Sequence, residues 1–159
     1  MQGGNILRLT DGSDQLAVVD FEYAGYNFRG FDLANHFCEW QFNYHSSEPH
    51  KVNKNDYPNE QQQENFLQAY IEAENRSTTS FSSPPSLSPS NDNNNLQKLK
   101  MEVKAFTIAS HAMWGLWGLV QSLQSHIDFD YFAYGVQRLR MFRDLRNDIY
   151  KDINLLYPN

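Results

Sequence analysis

Residues 6–22 read Ile6-Leu7-Arg8-Leu9-Thr10-Asp11-Gly12-Ser13-Asp14-Gln15-Leu16-Ala17-Val18-Val19-Asp20-Phe21-Glu22. Two short apolar runs flank a loop of Asp, Gly and Ser, the pattern of an antiparallel β-hairpin. Pairing Leu9 with Leu16 and Ile6 with Val19 would set Asn5 directly across from Asp20, with Cα atoms about 4.5–5.5 Å apart. Asp20 and Glu22 follow an apolar strand, where a carboxylate is costly unless it is exposed or meets a cation. Magnesium takes one or two carboxylates together with phosphate oxygens, so a strand-end Asp opposite an Asn suits it. By itself the pattern fits an ordinary turn Asp as well.

Outward from the hairpin the periodicity turns helical. A helix is expected from Asp32 to about Tyr44, with Asp32 near its start. Asn59 and Gln62 have capping-box spacing, and Phe66, Leu67, Tyr70 and Ile71 then give one apolar face. Leu96, Leu99, Val103, Phe106, Met113, Trp117 and Val120 recur at helical spacing, with Ser110 on the same stripe. His126-Ile127-Asp128 interrupts the pattern. A final helix follows on two rows, Tyr131, Tyr134, Arg138, Met141 and Leu145, and Phe132, Gly135, Leu139, Phe142 and Ile149. Between the helical stretches, residues 76–95 are rich in Ser, Thr, Pro and Asn and read as a disordered insertion, since they offer little to bury against their entropy.

Composition narrows the class. The chain has 159 residues, of which 14% are aromatic, with a mean hydropathy of -0.67, which fits a folded body carrying a polar insertion. A net charge of -6 without a basic stripe argues against nucleic acid as a partner. The single cysteine, Cys38, precludes an internal disulfide framework and suits a reducing compartment. No apolar run approaches the roughly 20 residues needed to span a bilayer. The expectation is a soluble, cytoplasmic protein.

Three strings carry a resemblance. They are Gln2-Gly3-Gly4-Asn5-Ile6-Leu7; Val19-Asp20-Phe21-Glu22-Tyr23; and Asn27-Phe28-Arg29-Gly30-Phe31-Asp32-Leu33-Ala34-Asn35-His36-Phe37-Cys38-Glu39-Trp40. The chain resembles the choline/ethanolamine kinases, and Ala109-Ser110-His111-Ala112-Met113-Trp114-Gly115-Leu116-Trp117-Gly118 extends the likeness. The resemblance implies an α+β architecture: the mostly helical C-terminal lobe of a protein-kinase-like fold, spanning residues 1–159, with a small β-hairpin at the active site. It implies ATP and Mg2+ as cofactors, and transfer of a phosphoryl group to choline or ethanolamine at the head of phospholipid synthesis.

The same resemblance assigns roles. Asp20 matches the magnesium-binding Asp and Asn5 the metal-side Asn, with Glu22 a further candidate. Gln2 matches a nucleotide-contacting position. Asp32 would support the catalytic loop, or serve as a plain helix-start Asp. Tyr23, Glu39, Tyr44, Trp114, Trp117 and Tyr134 fall on the choline pocket, where Glu39 would supply the negative charge. A trimethylammonium donates no N–H bond and is held by π faces, each contributing about 0.5–2 kcal/mol. Without the resemblance these aromatics would read as core. The family's His-Asn-Asp motif would place its catalytic base immediately before Met1, so no catalytic base is expected within the chain, the N-terminal lobe is expected to be absent, and the chain alone is expected to be inactive.

Choline is preferred as substrate because the aromatic set is complete and Cys38-Glu39-Trp40 looks more like choline kinases; ethanolamine stays open. The family likeness also admits a homodimer. A non-catalytic binding module is the alternative of a different class, and an antibiotic-modifying phosphotransferase of the same fold is disfavoured because a cation cage would have no purpose there. Of the remaining polar residues, His36 and His111 read as satisfied helix histidines, Cys38 as a small buried residue, Arg138 as a structural ion-pair partner, and the charges from Arg140 to Asp152 as a solvated face.

Overall fold

The structure is a computed structural model describing residues 2–79 and 89–156, with side chains described for 2–76 and 93–148. A 3₁₀ turn at Gly3–Asn5 leads into a two-stranded antiparallel sheet, β1 (Ile6–Arg8) and β2 (Leu16–Val18). Four helices follow: α1 (Arg29–Glu39), α2 (Glu60–Thr79), α3 (Pro89–Gln124) and α4 (Tyr131–Leu156). The molecule is a helical body with a small hairpin at one end. No helix among the described residues is long and apolar enough to cross a membrane.

The core lies where α1, α2 and α3 meet. Leu33, Ala34 and Phe37 of α1 pack on Leu67 and Ile71 of α2 and on Leu99 and Val103 of α3. Apolar residues three and four apart share one face of a helix, which is how each stripe reaches the same centre. The capping box expected at α2 is present. Asn59 N–H donates to Gln62 Oε1 at 2.9 Å, and Gln62 N–H donates to Asn59 Oδ1 at 3.0 Å. Arg29 fastens the start of α1 to both neighbours, pairing with Glu74 at 2.9 Å and Glu102 at 3.1 Å.

α3 is about 54 Å long at 1.5 Å per residue, and it changes partners along its length. Its first half faces α1 and α2; beyond Ser110 it lies against α4. There Gly118 and Gly135 bring the backbones together: a Cβ on Gly135 would stand 2.8 Å from the Gly115 carbonyl oxygen and 3.0 Å from Leu119 N. The change of partner rotates the buried face, so Met113 and Val120, expected on the apolar stripe, are 40% and 49% exposed. In α4, Tyr134, Arg138 and Met141 are buried as the first row requires. Phe132 of the second row is exposed, and the side chain of Ile149 lies outside the described residues.

Three sequence expectations need correction. The hairpin register is Ile6↔Val18, Leu7↔Ala17 and Arg8↔Leu16, one residue from the expected pairing. A slip of one normally turns side chains to the opposite face. Asp20 escapes this because its backbone is left-handed, with φ of 67°, a conformation that Asp tolerates better than most residues. α1 begins at Arg29 and ends at Glu39, earlier than the expected Asp32–Tyr44. Gln41 to Val52 instead form a loop closed by a Phe42↔Val52 bridge and tied to α4 by Gln137, which accepts from Val52 N–H at 3.2 Å. The stretch from 76 to 95 is shorter as a linker than its composition suggested, because α2 runs through Thr79 and α3 starts at Pro89. The remainder, 80–88, lies outside the described residues.

Candidate active site

A cleft of about 660 Å³ separates the hairpin and its following loop from the facing ends of α1, α3 and α4. Every residue that the resemblance assigns to the site lines it: Gln2, Asn5, Asp20 and Glu22 from the hairpin side, Tyr23 from the loop, and Asp32, Glu39, Trp114, Trp117 and Tyr134 from the helices, with Tyr44 just beyond α1. Asp32 sits in the first turn of α1.

At the hairpin end, Asn5 Nδ2 donates to Asp20 Oδ2 at 2.9 Å, and Val19 N–H donates to the Asn5 carbonyl at 3.0 Å. The side-chain bond uses one oxygen of Asp20 and the nitrogen of Asn5, leaving Oδ1 of each. Two adjacent hard oxygen donors, one of them anionic, suit a magnesium ion that takes its other ligands from phosphate and water. Among the described residues there is no group of three or more His, Cys, Asp or Glu able to hold a metal alone. His36 and His111 do not form a metal pair. Trp40 Nε1 donates to His36 Nε2 at 3.4 Å, and the His36 ring stacks on Phe66 at 4.8 Å.

At the other end the aromatics form a cage. Tyr23 meets Trp114 and Trp117 edge-on at centroid distances of 5.7 and 6.1 Å, and the two tryptophans meet at 5.3 Å. Their spacing of three along α3 puts both rings on one side of the helix. Trp117 Nε1 donates to the Tyr23 hydroxyl at 3.0 Å, which fixes the loop residue against the helix. Tyr134 closes the wall at 6.4 Å from Trp117. Phe129, which the sequence reading passed over, and Tyr131, which it placed only on the apolar row of the last helix, also line the cleft. Tyr131 lies 5.5 Å from Trp117, and Phe129 lies 5.7 Å from Tyr134. The signal of Phe129 was weak because it lies in the break between α3 and α4, where helical periodicity says nothing.

Behind the cage lies a buried polar cluster. Tyr44 O–H donates to Glu39 Oε2 at 2.7 Å, and Arg138 Nη1 stands 3.7 Å from Glu39 Oε1. Arg138 is fully buried, and its Nη2 donates to Ser110 Oγ at 3.1 Å and more weakly to Asn35 Oδ1 at 3.4 Å. The structural ion pair expected of Arg138 is therefore present, with Glu39 as partner. Burial, and then the adjacent Glu39 charge, push the Tyr44 hydroxyl far above the usual phenol range; burial also raises Tyr134. Both stay protonated, and Tyr44 acts as a donor to Glu39. Cys38 is buried with Sγ 3.7 Å from His111 Nε2. Burial lifts its thiol to about 11 and lowers His111 to about 3, with the Arg138 charge adding to the depression. The pair is a neutral thiol and a neutral imidazole, packed as core.

This arrangement has relatives. The sequence model of the choline/ethanolamine kinases matches residues 1–143. The chain belongs to the choline/ethanolamine kinase family. A human choline/ethanolamine kinase is 38% identical over 146 residues, covering 89% of this chain and 35% of the human protein. A probable ethanolamine kinase of Nematostella vectensis is 34% identical over 129 residues, covering 81% and 34%. The solved structure of a Plasmodium vivax ethanolamine kinase superposes with a TM-score of 0.67 at 27% identity, covering 91% of this chain and 34% of that one. The chain thus spans about a third of the length of these choline/ethanolamine kinase relatives, and its helical body with a small antiparallel sheet matches one part of the solved kinase.

Proposed function

We propose that protein carrying this chain transfers the γ-phosphoryl group of ATP to the hydroxyl of choline, with ethanolamine as the second substrate, and that these residues supply the metal end and the ammonium end of the site. The observation that carries the reading is that one cleft holds both the Asn5–Asp20 oxygen pair and the aromatic cage. An amino alcohol must present its hydroxyl to a phosphoryl donor while its cationic head is held a few ångströms away, so the two ends belong in one cavity.

Asn5 and Asp20 would hold the magnesium ion, with Glu22 close by and Gln2 toward the nucleotide. When bound, magnesium neutralises charge on the phosphate oxygens, which is most of what phosphoryl transfer asks of a site. Tyr23, Trp114, Trp117 and Tyr134 hold the cationic head on their π faces. Their placement around one cleft orients the alcohol. Glu39 and Tyr44 fix the inner wall, and Asp32 supports the cleft from the first turn of α1.

The test is ATP-dependent phosphorylation of choline and of ethanolamine, beside titration of the tryptophan fluorescence with each alcohol. Trp114→Ala is expected to weaken choline binding by about 0.5–2 kcal/mol, or roughly 2- to 30-fold. Cation binding without turnover would favour the binding-module reading. Neither binding nor turnover with either alcohol would end the proposal.

A further inference from the structure

We propose that Arg138 is a positioning residue that sets cation specificity: paired with Glu39 behind the cage, it neutralises the carboxylate that lines the cleft, so the site selects an alkylated ammonium over a primary one. The inference rests on the reading of the cleft as an ammonium-alcohol site and deepens it.

Arg138 does not line the cleft, whereas Glu39, Tyr44, Asn35 and Tyr134, all packed around it, do. Its guanidinium lies over the rings of Phe42 and Tyr134, at 5.3 and 5.6 Å from their centroids. A guanidinium has five N–H donors, yet here Nε and Nη1 are buried without a hydrogen-bond acceptor. Buried donors left unmade cost stability, and buried ion pairs rarely outperform well-packed apolar side chains. An arginine at this position is a poor choice for stability alone. Its effect falls on Glu39.

Glu39 Oε2 accepts from the Tyr44 hydroxyl at 2.7 Å, and Oε1 faces the Arg138 guanidinium in an ion pair at 3.7 Å, too long for a hydrogen bond. The charges of the pair cancel, so a cation in the cleft meets a dipole and aromatic faces instead of an open carboxylate. A trimethylammonium has no N–H to satisfy and loses little. A primary ammonium leaves water with three donors and finds the nearest carboxylate already neutralised by a guanidinium. Removing the arginine charge would release Glu39 to that ammonium.

The experiment is isothermal titration calorimetry of the 159-residue chain with choline and with ethanolamine, alongside thermal melts. Wild type is expected to bind choline more tightly by about tenfold. Arg138→Met is expected to collapse that ratio, while Arg138→Lys, which keeps the charge, preserves it within about twofold. If Arg138→Met does not fold, Tyr44→Phe serves instead: it keeps the ring, frees Glu39 Oε2 and is expected to lower the ratio about threefold. A wild type that prefers ethanolamine overturns the inference and the choice of choline as first substrate, and leaves the ammonium-site reading standing. A folded Arg138→Met, or in its place Tyr44→Phe, that weakens both cations equally overturns the inference alone. A wild type that binds neither cation overturns the ammonium-site reading and this inference with it.

Discussion

Between positions 2 and 29 the hairpin and its following loop have no buried residue, whereas the helices that carry the cage rest on a core in which Ala34, Phe37 and Leu67 are fully inaccessible. One cleft is therefore built by two different means. The proposed ammonium end is largely preorganised: apart from Tyr23 on the loop, its rings Trp114, Trp117 and Tyr134 sit on helices whose backbone positions are set by packing, and close-packed interiors do not drift. The phosphate end relies on two strands of three residues, one side-chain bond and a left-handed Asp20. An isolated two-stranded hairpin is marginal in water, and segments with few buried contacts open at low cost. The contrast teaches that the stability of this molecule and the geometry of its metal end are nearly independent quantities.

That independence can be attacked directly. Leu67→Ala, in the core, is expected to cost about 2–5 kcal/mol and to loosen the cage with the fold, whereas Leu16→Ser on the exposed hairpin should change stability by less than about 0.5 kcal/mol. Urea melts of the two variants make the comparison, and equal losses would break it. Asp20→Ala is expected to lower phosphorylation of choline by about 10²–10³-fold while leaving the melting temperature and choline binding near wild type. A parallel fall in choline affinity would show the two ends to be coupled.

The helical body also carries a pH liability. Buried His111 titrates near 3 in the folded chain against an ordinary 6.5. Below about pH 6.5 the unfolded chain takes up a proton that the folded chain refuses. Stability is thus full above that pH and is lost as the pH falls from 6.5 toward 3, by about 2 kcal/mol at pH 5. His111→Gln should flatten the dependence in melts at pH 7 and pH 5. An unchanged slope would place the acid sensitivity elsewhere.

Much of this site was legible in the sequence because its signals are local. The capping box at Asn59 and Gln62 follows from two residue types at one spacing. The tryptophans share a side of α3 because they are three apart. The carboxylates after the apolar run mark a strand end. The misreadings came where longer-range forces decide. Alternating apolar residues do not distinguish two registers one residue apart when neither face of the hairpin is buried, so Leu9 and Leu16 were paired wrongly. The stripe through Met113 and Val120 failed because α3 exchanges one set of partner helices for another. Phe129 escaped notice because it lies where periodicity ends, and Tyr131 was read as helix packing and not as part of the cleft.

The sequence by itself determined the helices, their caps and the family, since these depend on residue type and on spacing within a few turns. Only the tertiary structure decided that Asp20 reaches Asn5 through a left-handed backbone, and that Glu39 and Arg138, 99 positions apart, share one buried pocket behind the cage. Those relations join segments remote in the chain, and they are set by packing and desolvation, which no local pattern encodes.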